Sequence, residues 1–149
     1  MSKKIRVYAD VVADLFHRGH VEFLKKVKSL YDNTYVIVGI QSNEDSQKYK
    51  RVPIFNAEDR AEIIKSCKDV DEIILEPQLY ITKEFLKENN IDIVVHGDDM
   101  TEYLKKYNYE IPIKLEIMRT VPYYEGISTT QIIQKIFSLK KEIKKRGIR

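Results

Sequence analysis

The chain holds one cysteine, Cys67, in 149 residues. A single thiol excludes an intrachain disulfide framework and fits a reducing compartment. Cys67 is therefore expected to pack as a small apolar side chain within a helix. No apolar run approaches the roughly 20 residues that a membrane-spanning helix needs. The opening Met1-Ser2-Lys3-Lys4 leads straight into a strand and leaves no room for a signal peptide. A cytoplasmic location is the expectation. Charge excess is also slight. The 26 basic and 23 acidic residues leave a formal +3, weak grounds for a nucleic-acid partner. Internal repeats, low-complexity linkers and a second domain are all missing. What remains, with 43% hydrophobic and 33% charged residues, is a globular composition long enough for one real core.

Histidine is scarce as well. The chain has three, and two fall within four residues, in His17-Arg18-Gly19-His20. Three apart on a helix, they share one face. Gly19 removes side-chain bulk between them, so an anion can approach the backbone. A helix beginning here aims free N–H groups and a positive dipole end at that anion. In isolation such a pair is equally an ordinary surface pair or half of a metal site. Context favours a phosphate that gains charge during a reaction. Ile5-Arg6-Val7-Tyr8-Ala9 reads as a strand, and Val21, Leu24, Val27 and Leu30 repeat at helical spacing. Strand, motif-bearing loop and helix form the usual phosphate-binding half of an α/β unit.

Strands and helices go on alternating. Residues 35–40 form a short apolar run suited to a buried parallel strand, and residues 43–53 read as a polar, lysine-rich loop. Asn56 reads as the N-cap of a helix running through Ala61, Ile64 and Cys67, with Glu58 and Asp59 in its first turn. Further strands are predicted at residues 72–75, 91–95 and 113–118, with a Thr82-capped helix at Phe85 and Leu86. The 91–95 strand ends at His96-Gly97-Asp98-Asp99. Ser128 and Gln131 match a capping box for a final helix striped by Ile132, Ile136, Leu139 and Ile143. The alternation predicts an α/β fold, a single mostly parallel sheet with helices on both faces. Ligands bind such sheets beyond the carboxyl ends of the strands. That edge carries the His17 loop, residues 41–50, residues 97–99 and residues 126–130.

These segments together resemble the cytidylyltransferase family of H-x-G-H nucleotidyltransferases. The resemblance runs from Tyr8 to about Ile136 and rests on Tyr8-Ala9-Asp10, Asp14-Leu15-Phe16-His17-Arg18-Gly19-His20 and Glu125-Gly126-Ile127-Ser128-Thr129-Thr130. H-x-G-H alone is shared with adenylyltransferases; its pairing with E-G-I-S-T-T favours CTP. The resemblance implies a doubly wound, Rossmann-like catalytic domain over residues 1–138, a basic tail over 139–149 and a homodimer. It also implies in-line attack by a small phosphomonoester on the α-phosphate of CTP, with Mg²⁺ and without a covalent enzyme intermediate. The acceptor would be phosphoethanolamine, phosphocholine or glycerol 3-phosphate, in phospholipid-precursor synthesis.

By the same resemblance, His17, His20 and Lys50 are the catalytic candidates. Val12, Ala13, Gly19, Lys68, Arg119, Gly126, Ile127, Ser128, Thr129 and Thr130 are assigned with the two histidines to the nucleotide. Asp14, Lys48, Lys50, Asp98 and Asp99 are assigned to the second substrate. No residue is assigned as a protein metal ligand. Blander roles stand beside these: a solvated loop for the lysines, capping for Ser128, Asp98 and Asp99, and a strand-end position for His96. The basic tail reads as a solvated helix end rather than a membrane contact.

Three departures from the family pattern stand out. Val11 replaces the usual glycine of G-x-F-D, a strained position if that glycine has positive φ. Tyr123-Tyr124 replace the R-T that precedes E-G-I-S-T, while Arg119-Thr120 lie four residues earlier, as if 121–124 were inserted. The aromatic residue that choline-specific members carry after the third strand is missing, and Tyr80, Tyr103, Tyr123 and Tyr124 are the candidates for an ammonium cage. That absence favours phosphoethanolamine. The first two departures leave a catalytically impaired nucleotide-binding homologue as an alternative, beside an ATP-using adenylyltransferase.

Overall fold

Apolar residues alternate sides along three central strands, and this builds two cores. The computed structural model describes residues 3–147; Met1, Ser2 and the last two residues of the basic tail lie outside the described residues. Strand β1 (Ile5–Val11) sends Val7 to one face and Tyr8 to the other. Strand β2 (Thr34–Ile40) divides Val36 and Val38 from Ile37, and β4 (Ile93–Gly97) divides Ile93 and Val95 from Val94. Both faces are apolar because both are covered. Helices α1 (Arg18–Lys28) and α3 (Ala57–Lys65) supply Leu24, Val27, Ala61 and Ile64 to the first core. Helix α4 (Lys83–Glu88) supplies Leu86 to the second, where Tyr109 also lies. With β3 (Glu72–Leu75) and β5 (Met118–Val121) the sheet has five strands, all parallel, in the order β3-β2-β1-β4-β5.

Several boundaries differ from the sequence expectation. The 43–53 stretch opens with a short helix, α2 (Asn43–Gln47), because the Ser42 hydroxyl accepts from the Asp45 N–H and caps it. Helix α3 stops at Lys65, two residues before Cys67, which packs against the first core from a turn. Strand β4 begins at Ile93 rather than Ile91 and takes in His96 and Gly97. Residues 113–118 do not form the last strand. Helix α5 (Glu102–Tyr107) is followed by α6 (Glu110–Lys114), whose Pro112 sits in the first turn, where a missing N–H costs nothing. Glu116 then turns the chain at φ 59°, and β5 starts only at Met118. The final helix is broken. α7 (Thr129–Ser138) ends where the Leu139 N–H turns back to the Lys135 and Ile136 carbonyls, and α8 (Lys140–Arg146) follows. The predicted capping box of Ser128 and Gln131 is present.

Arg60 is fully buried in α3 and fastens the carboxyl edge of the sheet. Its guanidinium donates to the carbonyls of Val12 (2.6 Å), Gln41 (2.9 Å) and Phe55 (3.1 Å) and to Asn43 Oδ1 (2.7 Å). Asp14, also buried, takes the N–H groups of Ile54 (2.7 Å) and Phe55 (2.9 Å). These bonds hold Ala13 and Leu15 at φ 57° and 47°, a region that non-glycine residues rarely adopt. The strain foreseen at Val11 is absent; Val11 is an extended strand residue paired with Ile40, and Ala13 carries the left-handed turn instead. Removing one partner from such a buried set leaves the others unsatisfied. Arg60→Met is expected to cost about 3–5 kcal/mol, lowering the melting temperature by roughly 10 °C. Thermal denaturation followed by circular dichroism reads this directly, and an unchanged melting point would refute it.

Candidate active site

The strand order places a crevice at the carboxyl ends of β1 and β4. The chain winds outward from β1 to β3, then returns to the other side of β1 for β4, and such reversals open a cleft. A cavity of about 710 Å³ occupies this edge, a usual volume for a small-molecule site. Four separated stretches reach it: Asp10 to His20, Gln41 with residues 49–53, residues 96–109 in part, and Pro122 to Thr130 in part.

The two clustered histidines line the cavity and also start α1. His17 is the N-cap, and its Nδ1 accepts from the Gly19 N–H (2.9 Å); His20 Nδ1 accepts from the His17 N–H (3.1 Å). The histidine pair is thus a capping box in which imidazoles replace hydroxyl and carboxylate. With both Nδ1 atoms accepting, each neutral ring carries its proton on Nε2, the tautomer that leaves a donor for the cavity. The rings lie 3.9 Å apart. Burial lowers the His17 pKa. Burial, then the His17 and Lys50 charges, bring His20 down to about 4. Gly19 is required here: a Cβ on it would fall 2.6 Å from the His17 ring and 3.1 Å from the Ile127 carbonyl.

The E-G-I-S-T-T stretch meets this pair. Ser128 caps α7, and the Thr129 hydroxyl donates to the Asp14 carbonyl (3.0 Å) and lies 3.4 Å from His17 Nε2. Ile127, Ser128, Thr129 and Thr130 line the cavity together with Val12, Ala13, Gly19, His17 and His20. Gly126 sits behind them, where a Cβ would collide with the Tyr124 hydroxyl at 2.4 Å. Lys50 lines the cavity mouth, exposed yet crowded by its walls. Lost hydration lowers its pKa, while Asp99 acts in the opposite direction.

Other candidates take different places. Lys48 turns out to solvent and pairs with Asp45 (3.0 Å). Asp14 lines the wall, and each of its carboxylate oxygens accepts a backbone N–H group. Asp99 lines the cavity; Asp98 instead accepts from the Tyr123 N–H (2.9 Å). Lys68 is exposed in the turn before β3, at the opposite edge of the sheet from the cavity. Arg119 turns back toward the amino end of β5, where its guanidinium donates to the carbonyls of Glu116 (3.1 Å) and Met118 (2.9 Å). Within one chain, neither Lys68 nor Arg119 is among the residues that line the cavity. His96 ends β4 at the cavity, its Nδ1 2.9 Å from the Gly97 carbonyl.

Sequence reasoning missed two features. Asp10 lies at the cavity floor, its carboxylate accepting from the Tyr109 hydroxyl and from Gln41 Nε2 (3.4 Å), while Tyr49 donates to Gln41 Oε1. Burial raises the Asp10 pKa, and the Tyr109 bond opposes the rise. A carboxylate ending the buried run of β1 was the available signal. The second feature is Arg51, in the cavity wall with its Nη1 3.3 Å from Thr130 Oγ1. Of the tyrosines considered for an ammonium cage, Tyr103, Tyr123 and Tyr124 line the cavity and Tyr80 does not; Tyr49 and Tyr109 join them.

Residues 9–135 match the family model described as cytidylyltransferase-like. The chain belongs to this family. It is 36% identical over 143 residues to choline-phosphate cytidylyltransferase A of Homo sapiens, covering 90% of this chain and 37% of that one. It is 33% identical over 146 residues to ethanolamine-phosphate cytidylyltransferase of Dictyostelium discoideum, covering 95% of this chain and 40% of that one. An FAD synthase of Thermococcus sibiricus is 39% identical over 144 residues, with 90% of this chain and 93% of the synthase covered. The chain thus spans less than half the length of the choline-phosphate and ethanolamine-phosphate relatives. Among solved structures, a lipopolysaccharide core biosynthesis protein of Thermoplasma volcanium superposes with a TM-score of 0.66 at 28% identity, over 81% of this chain and 98% of that one. No helix among the described residues is long and apolar enough to cross a membrane.

The histidine geometry has a pH consequence. His20 should stay neutral as pH falls through 6.5 and take up a proton only near pH 4, because its folded value lies below the ordinary one. Nitrogen-15 NMR of the imidazoles at pH 6 should show an Nε2–H tautomer for this residue. An imidazolium spectrum at that pH would contradict the assignment.

Proposed function

We propose that this cytidylyltransferase-like protein moves CMP from CTP to a small phosphomonoester with a cationic head, releasing pyrophosphate. One observation carries the reading: His17 of the imidazole pair meets Thr129 in the first turn of α7, in a single cavity that also holds His20 and Lys50. A phosphate oxygen of the acceptor forms a bond to the α-phosphorus of CTP. The bond from that phosphorus to the bridging oxygen breaks, and pyrophosphate leaves with the electron pair. The protein provides position and charge stabilisation, with no nucleophile of its own. His17 and His20 donate from Nε2 to oxygens that gain charge, the free N–H groups of α7 hold the phosphates, and Lys50 bridges the two substrates.

Mg²⁺ enters with CTP as part of the substrate and offsets phosphate charge. Such an ion takes its ligands chiefly from the phosphates and water. Asp99 is the cavity carboxylate best exposed to meet its hydration shell.

The Asp10 floor and the surrounding tyrosines support a cationic head over glycerol 3-phosphate. With five tyrosines in the cavity, the argument for phosphoethanolamine over phosphocholine loses its basis, and both acceptors suit the site. A second reading is adenylyl transfer, favoured by likeness to an FAD synthase over nearly its full length. Pyrophosphate release from CTP or ATP, measured with phosphoethanolamine, phosphocholine, glycerol 3-phosphate and FMN, separates these readings. CTP with either ammonium ester is expected to turn over; ATP with FMN alone would establish the second reading.

His20→Ala removes both a donor to the phosphates and one arm of the α1 cap. Turnover is expected to fall about 10²- to 10³-fold, with a stability loss of only about 1 kcal/mol. Retained turnover in a folded variant would contradict the role given to His20.

A further inference from the structure

We infer that Arg51 is the guanidinium that grips the triphosphate in this chain, an assignment that rests on the proposed use of a nucleoside triphosphate. Arg119 is turned away and bound to two carbonyls at the amino end of β5. Tyr123 and Tyr124 stand directly before Glu125, where the family pattern would place an arginine. The cavity still has to neutralise several negative charges. Its imidazoles are poor at this, because burial holds both below their ordinary pKa. Among the described residues lining the cavity, Lys50 and Arg51 are the lysine and arginine side chains.

Arg51 is placed for the task. It follows Lys50 directly and reaches across to the first turn of α7, where Nη1 donates to Thr130 Oγ1 at 3.3 Å. Its charge is close enough to Lys50 to press that ammonium toward deprotonation. A side chain repelled by one cation and held by a single hydroxyl gains from an anion between the two. The planar fork has five N–H donors, and one bond to Thr130 leaves the others for phosphate oxygens. The same bond links the loop after α2 to the helix N-terminus, so an arriving triphosphate would draw the two together. A lysine there would keep the charge and lose the fork.

The test compares Arg51→Gln with Arg119→Gln and the unaltered protein. Isothermal titration of CTP with Mg²⁺ gives affinities at low and high salt, and ligand-free melting temperature reports folding. Arg51→Gln is expected to melt like the unaltered protein and to bind CTP roughly 10- to 100-fold more weakly at low salt. The gap should narrow at high salt, as screening weakens an exposed charge contact. Arg119→Gln should bind within about twofold of the unaltered protein, as expected for a surface position. The assignment falls if Arg51→Gln binds CTP as the unaltered protein does, if its loss ignores salt, or if Arg119→Gln loses as much. Failure of the unaltered protein to bind CTP would remove the underlying nucleotide reading, a result distinct from an Arg51 variant that binds normally.

Discussion

Arg60 and Asp14 are both buried at the carboxyl edge of the sheet, and three loops hang on their bonds. The guanidinium gathers the carbonyls of Val12, Gln41 and Phe55, and the carboxylate gathers the N–H groups of Ile54 and Phe55. Backbone groups in a buried loop must find partners or carry a desolvation cost. Here one side chain of each charge supplies them. The result is a fixed turn through Ala13 and Leu15 that delivers His17 to the start of α1 at one defined angle. The same turn offers the Asp14 carbonyl to Thr129, which brings α7 against the imidazoles. Buried charge thus sets the geometry of the groups that line the cavity.

The histidines join local structure to chemistry in a similar way. Their Nδ1 atoms satisfy N–H groups that the first turn of α1 leaves without partners. That use fixes the tautomer of each neutral ring, and burial disfavours the charged form of both. A neutral donor whose hydrogen is already aimed needs little reorganisation when charge develops on a phosphate. The cap and the donors facing the cavity are therefore one arrangement, and the helix cannot start this way without presenting them.

Much of this was legible from residue order. The alternation of apolar runs gave the parallel α/β sheet because buried strands and amphipathic helices have distinct periods. Asn56, Thr82 and Ser128 were readable as caps because their side chains act within three residues. The failures share a different cause. Ile113 to Met118 looked like a strand by composition, but packing around buried Tyr109 and the turn at Glu116 decided for a helix. Arg119 and Lys68 match a family pattern, and a pattern says nothing of where a side chain points. Asp10 and Arg51 were missed because their partners, Tyr109 and Thr130, lie 99 and 79 residues away.

Separated stretches of this chain are proposed to form one nucleotide cradle around the His17–His20 pair, and hydrogen–deuterium exchange with and without CTP and Mg²⁺ reads all of them at once. Added protection is expected only in residues 12–20, 49–55, 96–99 and 122–130, with the opposite edge around Lys68 unchanged. Protection absent from the histidine loop and the α7 start, or centred on the amino ends of the strands, would contradict it.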